Sequence, residues 1–367
     1  MKKLLFFPFL FYAFLLNAES YYKYNNTFNV TRSSNTAFTS LIIFAPCPQT
    51  NEYQDVYELD TQSIGAWNQG SISENQNGYL ELVMDNSQLT GCSQNFSVGF
   101  SFIHSPKTIN IDFTVLKNSD GSWKDMPEYN TTTIDYQSNC KKSGNIVDPD
   151  NASIQAISNQ LYEECNRNRL AYAESCYNYV ASHYRYLNPN TGLHSLAELL
   201  SAGGGDCGNL SSIYISLLRA KGIPARHVVA IGANNNFHVW AEFYIQDFGW
   251  VPVDVTYKNS NPNGNYFGKY DYNLVVVQKG VTMDYPVTQL GIVTIDLLQT
   301  YCWWYWYNSY ATMSINQVVT RSKIEYNSIE NIEKTSANQE SARKVLIDGK
   351  LYIKERGKYY SLSGMRL

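Results

Sequence analysis

A chain of 367 residues has room for two or three domains and at least one sizeable core. Only 16% of its residues are charged and the net charge is −4, a balance that excludes a nucleic-acid-binding surface. Aromatics reach 14%, with 30 tyrosines, a composition in keeping with an exposed, secreted protein.

Residues 1–18 read as a signal peptide. Lys2 and Lys3 give the positive front, residues 4–16 a short apolar run, and Ala18 a cleavage point. No cysteine follows directly, which argues against a lipid anchor. No later stretch reaches about 18 uninterrupted apolar residues, so no stable membrane span is expected. The expected location is secreted or cell surface, or periplasmic.

Residues 19–118 predict an N-terminal antiparallel β-sandwich. Leu41, Ile42, Ile43 and Phe44 form an apolar run ended by Pro46 and Pro48, and residues 79–84 form a second strand. Phe96, Val98, Phe100 and Phe102 alternate, as do Ile109, Ile111, Phe113 and Val115. Turn signals at 75–78 and 118–121 separate these runs. The expected role is stabilising or positioning. Residues 119–150 are polar and irregular, a connector.

Asp150 or Asn151 caps the next helix. Ile154, Ile157, Leu161 and Tyr162 share one face. Leu170, Tyr172, Cys176, Tyr179 and Val180 continue the helical period after a break at 166–168. A turn at 189–192 and a short helix at 196–200 lead to Gly203, Gly204 and Gly205. No Gly-Lys-Ser/Thr follows, so this is not a phosphate loop. The glycines are expected to let a substrate backbone approach the thiol beyond them.

That thiol is Cys207. Asp206 and Asn209 crowd the front of a helix running through Ile213, Leu217 and Leu218 towards Lys221 and Gly222. Cys207 then lies in the first turn, where the helix dipole favours thiolate. A buried strand follows over 223–231. In 237–245, Phe237, Val239, Ala241, Phe243 and Ile245 take one face, and His238, Trp240, Glu242 and Tyr244 the other. Val251, Val253 and Val255 share a face with Asp254 opposite. For His238 and Asp254 to meet, the joining loop must have odd parity or a bulge, for which Gly249 is the candidate. A thiolate, an imidazole and a carboxylate suit acyl transfer, as nucleophile, proton carrier and tautomer-fixing group. Glu242 is the rival carboxylate, read as salt-bridged or hydrogen-bonded at the site edge. Trp240 either walls the cleft or is packed. His227 reads as a core or boundary residue, while His104, His183 and His194 lack a strand-borne partner pattern.

The run Gly-Asp-Cys at 205–207, Gly-Ile-Pro-Ala-Arg at 222–226, His-Val-Trp-Ala-Glu at 238–242 and Gly-Trp-Val-Pro-Val-Asp-Val-Thr at 249–256 resembles the transglutaminase-like superfamily core. The resemblance covers roughly residues 150–280. It implies an α+β protein with a papain-like (cysteine protease) catalytic core over 151–280. It also implies Cys207 as nucleophile, His238 as general base and acid, and Asp254 as the orienting carboxylate. That superfamily includes amide crosslinkers, proteases, deglycosylating amidases and inactive scaffolds. Two readings therefore stand. One is a secreted thiol enzyme acting on protein, peptide or glycopeptide amides, by hydrolysis or by transamidation. The other is a non-catalytic surface binding or adhesion module on the same scaffold. No CxxC, HExxH or EF-hand-like pattern occurs, so no metal and no cofactor is called for.

The polar loop 258–265 borders the cleft or is ordinary surface, and 273–278 is a further strand. Residues 281–325 are expected as an aromatic-rich extension of the core. Their run Tyr301, Cys302, Trp303, Trp304, Tyr305, Trp306, Tyr307 is either a platform for sugar or peptide or an element packed on the core. Residues 326–367 read as a linker and a small β-rich C-terminal tail, with hairpin signals at Asp348-Gly349 and Arg356-Gly357. From 343 onward, seven Lys/Arg face two Asp/Glu. This tail resembles the sorting signals read by the type IX secretion route, which implies outer-membrane secretion machinery as a partner. The alternative is a hairpin closing the last domain. The six cysteines besides Cys207 can form up to three bridges outside the cytoplasm, Cys47 with Cys92 being the pair within the β domain.

Overall fold

The computed structural model describes residues 20–61, 65–187 and 192–324, and the backbone of three strands beyond residue 342. The signal-peptide call at 1–18 and the linker at 326–342 fall outside the described residues.

The N-terminal part is strand-rich: β1 (Tyr21–Arg32), β2 (Phe38–Cys47), β3 (Gln54–Asp60), β4 (Ala66–Ile72), β5 (Asn77–Asp85) and β6 (Asn95–Pro106). Helix α1 (Asn86–Gly91) joins β5 to β6. Asp85 starts it with a reciprocal cap, its side chain accepting the Gln88 N–H while Gln88 accepts the Asp85 N–H. The alternating residues 109–115 do not extend the sandwich. Only β7 (Ile109–Asn110) is strand; the Asp112 side chain accepts the Thr114 N–H and turns the chain. Phe113 then packs on Trp123 and Phe267, away from the sandwich.

Helices α2 (Ile134–Cys140), α3 (Ala152–Glu164) and α4 (Arg169–His183) follow, then β8 (Arg185–Tyr186), α5 (Leu196–Ala202), β9 (Gly204–Gly205) and α6 (Cys207–Arg219). Asn151 caps α3 and Asn168 caps α4. Helix α6 is buried along almost its whole length, including a polar side of Asn209, Ser212, Ser216 and Arg219. Its hydroxyls stay satisfied: Ser211, Ser212 and Ser216 donate to the carbonyls of Cys207, Gly208 and Ser212. The helix stops where a left-handed residue is tolerated, at Gly222 with φ +67.

Next come β10 (Ala225–Ile231), β11 (Phe237–Ile245), β12 (Gly249–Val253), α7 (Val255–Ser260), β13 (Lys269–Tyr270) and β14 (Val275–Lys279). An antiparallel sheet in the order β12-β11-β10-β14 lies against α6. Ala225, Ala241, Phe243, Ile245, Val251 and Val253 share its core with the helices. The opposite face carries Val228, Ala230, Trp240 and Val276 against Tyr53 and Tyr270.

The chain then returns to its beginning. After the hairpin β15 (Thr282–Val287) and β16 (Gly291–Asp296) come β17 (Cys302–Tyr307) and β18 (Met313–Ile324). Strand β17 pairs with β2 and β18 pairs with β1. Two four-stranded sheets result, β18-β1-β6-β3 and β17-β2-β5-β4, packed over a common apolar core. The aromatic run expected to extend the catalytic core is thus a sandwich strand. Trp303 and Tyr305 meet the sandwich core, while Trp304 and Trp306 meet the β15–β16 hairpin. With both faces of that sheet covered, bulky side chains suit both faces of β17, and the continuous apolar run of β2 has the same cause.

All seven cysteines are free thiols. Cys47 and Cys92 do not pair because β2 and β5 run antiparallel. Cys47 lies opposite Gly78, whereas Cys92 follows α1, beyond Asp85 at the other end of the ladder. In the tail, β19 (Arg343–Ile347), β20 (Lys350–Glu355) and β21 (Lys358–Tyr360) form an antiparallel meander. The two expected turn dipeptides between them lie outside the described residues.

Candidate active site

The approach to Cys207 is set by backbone. Gly203 ends α5 in the left-handed region at φ +70. The Arg185 N–H donates to Gly203 O at 2.9 Å and the Leu187 N–H to Gly205 O at 2.8 Å, so β8 and β9 run side by side. A Cβ on Gly204 would lie 2.0 Å from the Arg185 carbonyl oxygen. The close approach that requires glycine here is therefore made by the chain's own strand. At Gly204 the neighbour is thus Arg185, where a substrate backbone was expected. Asp206 caps α6, Oδ1 accepting the Asn209 N–H at 3.0 Å. Burial pushes the Asp206 carboxyl up, although backbone donors oppose it. Buried Asn209 holds the incoming loop, its Oδ1 accepting the His194 N–H at 3.1 Å. Cys207 begins the helix, half-buried.

His238 and Asp254 share one face of the sheet. Ladder β11–β12 runs in register from Ala241↔Val253 to Ile245↔Gly249, closed by residues 246–248. That loop is odd in length, as the parity argument requires, and Gly249 is an in-register residue instead of a bulge. One step further along the register sets Asp254 across from Trp240, on the His238 side. The strand was expected to continue through Val255. It stops because Asp254 caps α7, with Oδ1 accepting the Tyr257 N–H at 2.9 Å. The other oxygen, Oδ2, accepts from His238 Nε2 at 2.6 Å and from the Tyr272 hydroxyl at 2.9 Å.

With Nε2 committed to Asp254, Nδ1 is left for the thiol, and the Cys207 side chain is near enough to act on this imidazole. The structure thus brings Cys207, His238 and Asp254 together. Burial by itself would lower the imidazole pKa. The Asp254 carboxylate and then the Cys207 sulfur outweigh it, and the pKa is raised to about 10. Such an imidazole is held as the cation, the form that stabilises a neighbouring thiolate.

Aromatic rings enclose the imidazole. Trp240 lies at 5.9 Å, Tyr257 at 4.9 Å and Tyr272 at 5.6 Å between ring centroids. Trp240 is fully packed, while Tyr257, Phe237 and Tyr186 are exposed. Tyr186 is close enough to Cys207 and Asp206 for their charges to raise its phenol, after burial.

The other candidates are accounted for. Glu242 is buried and structural in its contacts: Arg226 Nε donates to Oε1 at 2.5 Å and the Tyr53 hydroxyl to Oε2 at 2.5 Å. His227 is buried on Ser212 and the Gly208 carbonyl, and burial lowers it to about 3. His104 is buried in the sandwich and likewise lowered to about 3. His183 stacks on Tyr179, and His194 lies 3.9 Å from Glu198. Sequence reasoning missed Tyr272, Tyr257 and Tyr53. The two-residue spacing of Tyr270 and Tyr272 was a signal of sorts, but nothing local tied either to Asp254. Among the described residues no cluster of three or more His, Cys, Asp or Glu is arranged to hold a metal ion.

Residues 155–255 match the family model of the transglutaminase-like superfamily. An uncharacterized protein, YebA, of Bacillus subtilis is 36% identical over 75 residues, covering 16% of this chain and 10% of its own length. An uncharacterized protein of Haemophilus influenzae is 33% identical over 75 residues, covering 14% of this chain and 20% of its own. The chain therefore spans a tenth to a fifth of these two relatives. The crystal structure of "a Putative Cysteine Protease from Cytophaga hutchinsonii" superposes with a TM-score of 0.51 at 14% identity, covering 84% of this chain and 91% of that one. That likeness speaks for the fold.

Proposed function

From a chain that carries a transglutaminase-like domain at residues 155–255, we propose an exported thiol enzyme that hydrolyses peptide or side-chain amides through Cys207, His238 and Asp254. The observation that carries this is the placing of the imidazole: His238 Nε2 donates to Asp254 Oδ2 at 2.6 Å, and Cys207, at the start of a helix, is near enough to act on the same ring. A packed scaffold without turnover has no need of that convergence, which favours an enzyme over an adhesion module.

The steps follow from the groups present. The Cys207 thiolate attacks the amide carbonyl carbon, and the oxyanion is received by the Cys207 N–H, free at the first turn of α6. The imidazolium of His238 gives its proton to the departing amine, the C–N bond breaks, and a thioester remains on sulfur. His238, now neutral, takes a proton from water as the hydroxyl attacks the thioester. The carboxylic acid leaves and the thiolate–imidazolium pair is restored. Asp254 holds the ring and its tautomer throughout. An amine in place of water gives transamidation by the same steps. The structural neighbour described as a cysteine protease favours water. The substrate class is protein, peptide or glycopeptide.

For location, the Lys2–Lys3 front and the apolar run that follows support export across the inner membrane. The basic tail supports onward sorting through outer-membrane machinery. Among the described residues no helix is long and apolar enough to cross a membrane.

The test is to incubate the purified chain with a mixed peptide library, with and without a small primary amine, and read products by mass spectrometry. New termini or deamidated side chains, absent with Cys207→Ala, are expected. Amine adducts without hydrolysis would redirect the reading to transamidation. No Cys207-dependent product, together with a thiol no more reactive than a free one, would sink it.

A further inference from the structure

We propose that Tyr272 is a positioning residue of the candidate triad, its hydroxyl dividing with His238 the Asp254 oxygen that orients the imidazole. This rests on the thiol-enzyme reading above. Tyr272 donates to Oδ2 at 2.9 Å and His238 Nε2 to the same atom at 2.6 Å. The remaining oxygen, Oδ1, accepts the Tyr257 N–H at 2.9 Å. Asp254 is only 1% exposed, so these donors stand in for water around the carboxylate. They come from β11, from the first turn of α7 and from the segment between β13 and β14, and together they fix the plane of the group.

Removing one donor would change what the others feel. An oxygen that accepts from two donors pulls less on each, so Tyr272 moderates the hold of Asp254 on the imidazolium proton. Its ring is fixed independently, edge-on to His238 at 80° and to Trp240 at 77°. Burial first, then Asp254, push the phenol well above its ordinary range, so it stays a donor at any pH where the protein works. The groups that face the imidazole are Cys207 from α6, Asp254, Tyr257 from α7 and Tyr272. Behind them, Asp271 acts on the Tyr272 phenol and the charge of Asp254 on Tyr177.

The test is an NMR titration of the His238 imidazole in the full chain, with its signal assigned by loss in His238→Gln, beside iodoacetamide labelling of Cys207 near pH 6. Tyr272→Phe keeps the ring and loses only the hydroxyl. The imidazolium is expected to release its proton about 0.5–1 pH unit higher than in the wild type. Replacing Tyr272 by 3-fluorotyrosine, a stronger donor, should move it the other way. In an Asp254→Asn background neither change should move it. An unmoved titration in Tyr272→Phe, or an equal shift without the carboxylate, overturns the role of Tyr272 while rapid labelling of Cys207 leaves the enzyme reading standing. Labelling of the wild type no faster than an ordinary thiol overturns both.

Discussion

Two carboxylates on one face of the same sheet, Glu242 and Asp254, have nearly the same surroundings and different consequences. Both are buried, at 0% and 1% exposure. Each accepts a tyrosine hydroxyl, from Tyr53 and Tyr272 respectively. Each also holds a nitrogen base, Arg226 in one case and His238 in the other. A guanidinium is a permanent cation where an imidazole is not, and Arg226 is further held over the Trp250 ring at 3.7 Å and by Asn75. Its pair with Glu242 can only join the sheet to the N-terminal half. The imidazole can release a proton, and beyond it stands a thiol at a helix start. The identity of the base, and what lies on its far side, separates a bracing pair from a candidate catalytic one.

The comparison breaks most visibly at the thiol. Cys207→Ala should cut turnover by roughly 10³-fold or more and leave the thermal midpoint close to wild type, since only the site loses its nucleophile. Retained turnover would remove the distinction altogether. Next, the two carboxylates should respond in opposite ways. Asp254→Asn should lower turnover by about 10²–10⁴-fold, because the amide no longer fixes the tautomer. Its loss of stability should be the smaller effect in denaturant titrations. Glu242→Gln leaves the Arg226 charge buried and uncompensated, so stability should fall by about 3–5 kcal/mol while turnover per folded molecule stays near wild type. Equal effects on both quantities in both variants would erase the contrast.

The smallest effect is in pH. The His238 pKa is raised, so its stabilisation is complete below about 6.5 and is lost as pH rises through about 10. His227 and His104 are lowered to about 3 and oppose it at the acid end. Below about pH 6.5 the unfolded chain takes up protons that the fold refuses until about 3, so stability falls with pH across that window. Thermal midpoints from pH 3 to 11 should therefore sag at both ends. His238→Gln should flatten only the alkaline side, and an unchanged alkaline slope would show that Asp254 does not hold the imidazolium.

Much of the site was legible because it is local. The cap at Asp206, the first-turn cysteine, the period-two face of β11 and the odd loop at 246–248 are all properties of short stretches, and they suffice to aim His238 and Asp254 to one side. The stop of β12 at Val253 was not legible. The local alternation of Val251, Val253 and Val255 read Asp254 as a strand residue, whereas it caps a helix.

By itself, then, the sequence determined which side chains are candidates for the chemistry and which way their elements present them, because periodicity and capping act over a few residues. Only the tertiary structure decided what surrounds them. That β17 and β18 close the N-terminal sandwich, that Gly204 yields to Arg185, and that Tyr53 and Tyr272 complete the two carboxylates are contacts between segments far apart in the chain. Such contacts are chosen by competition among all the faces needing cover, and no stretch of sequence records the outcome alone.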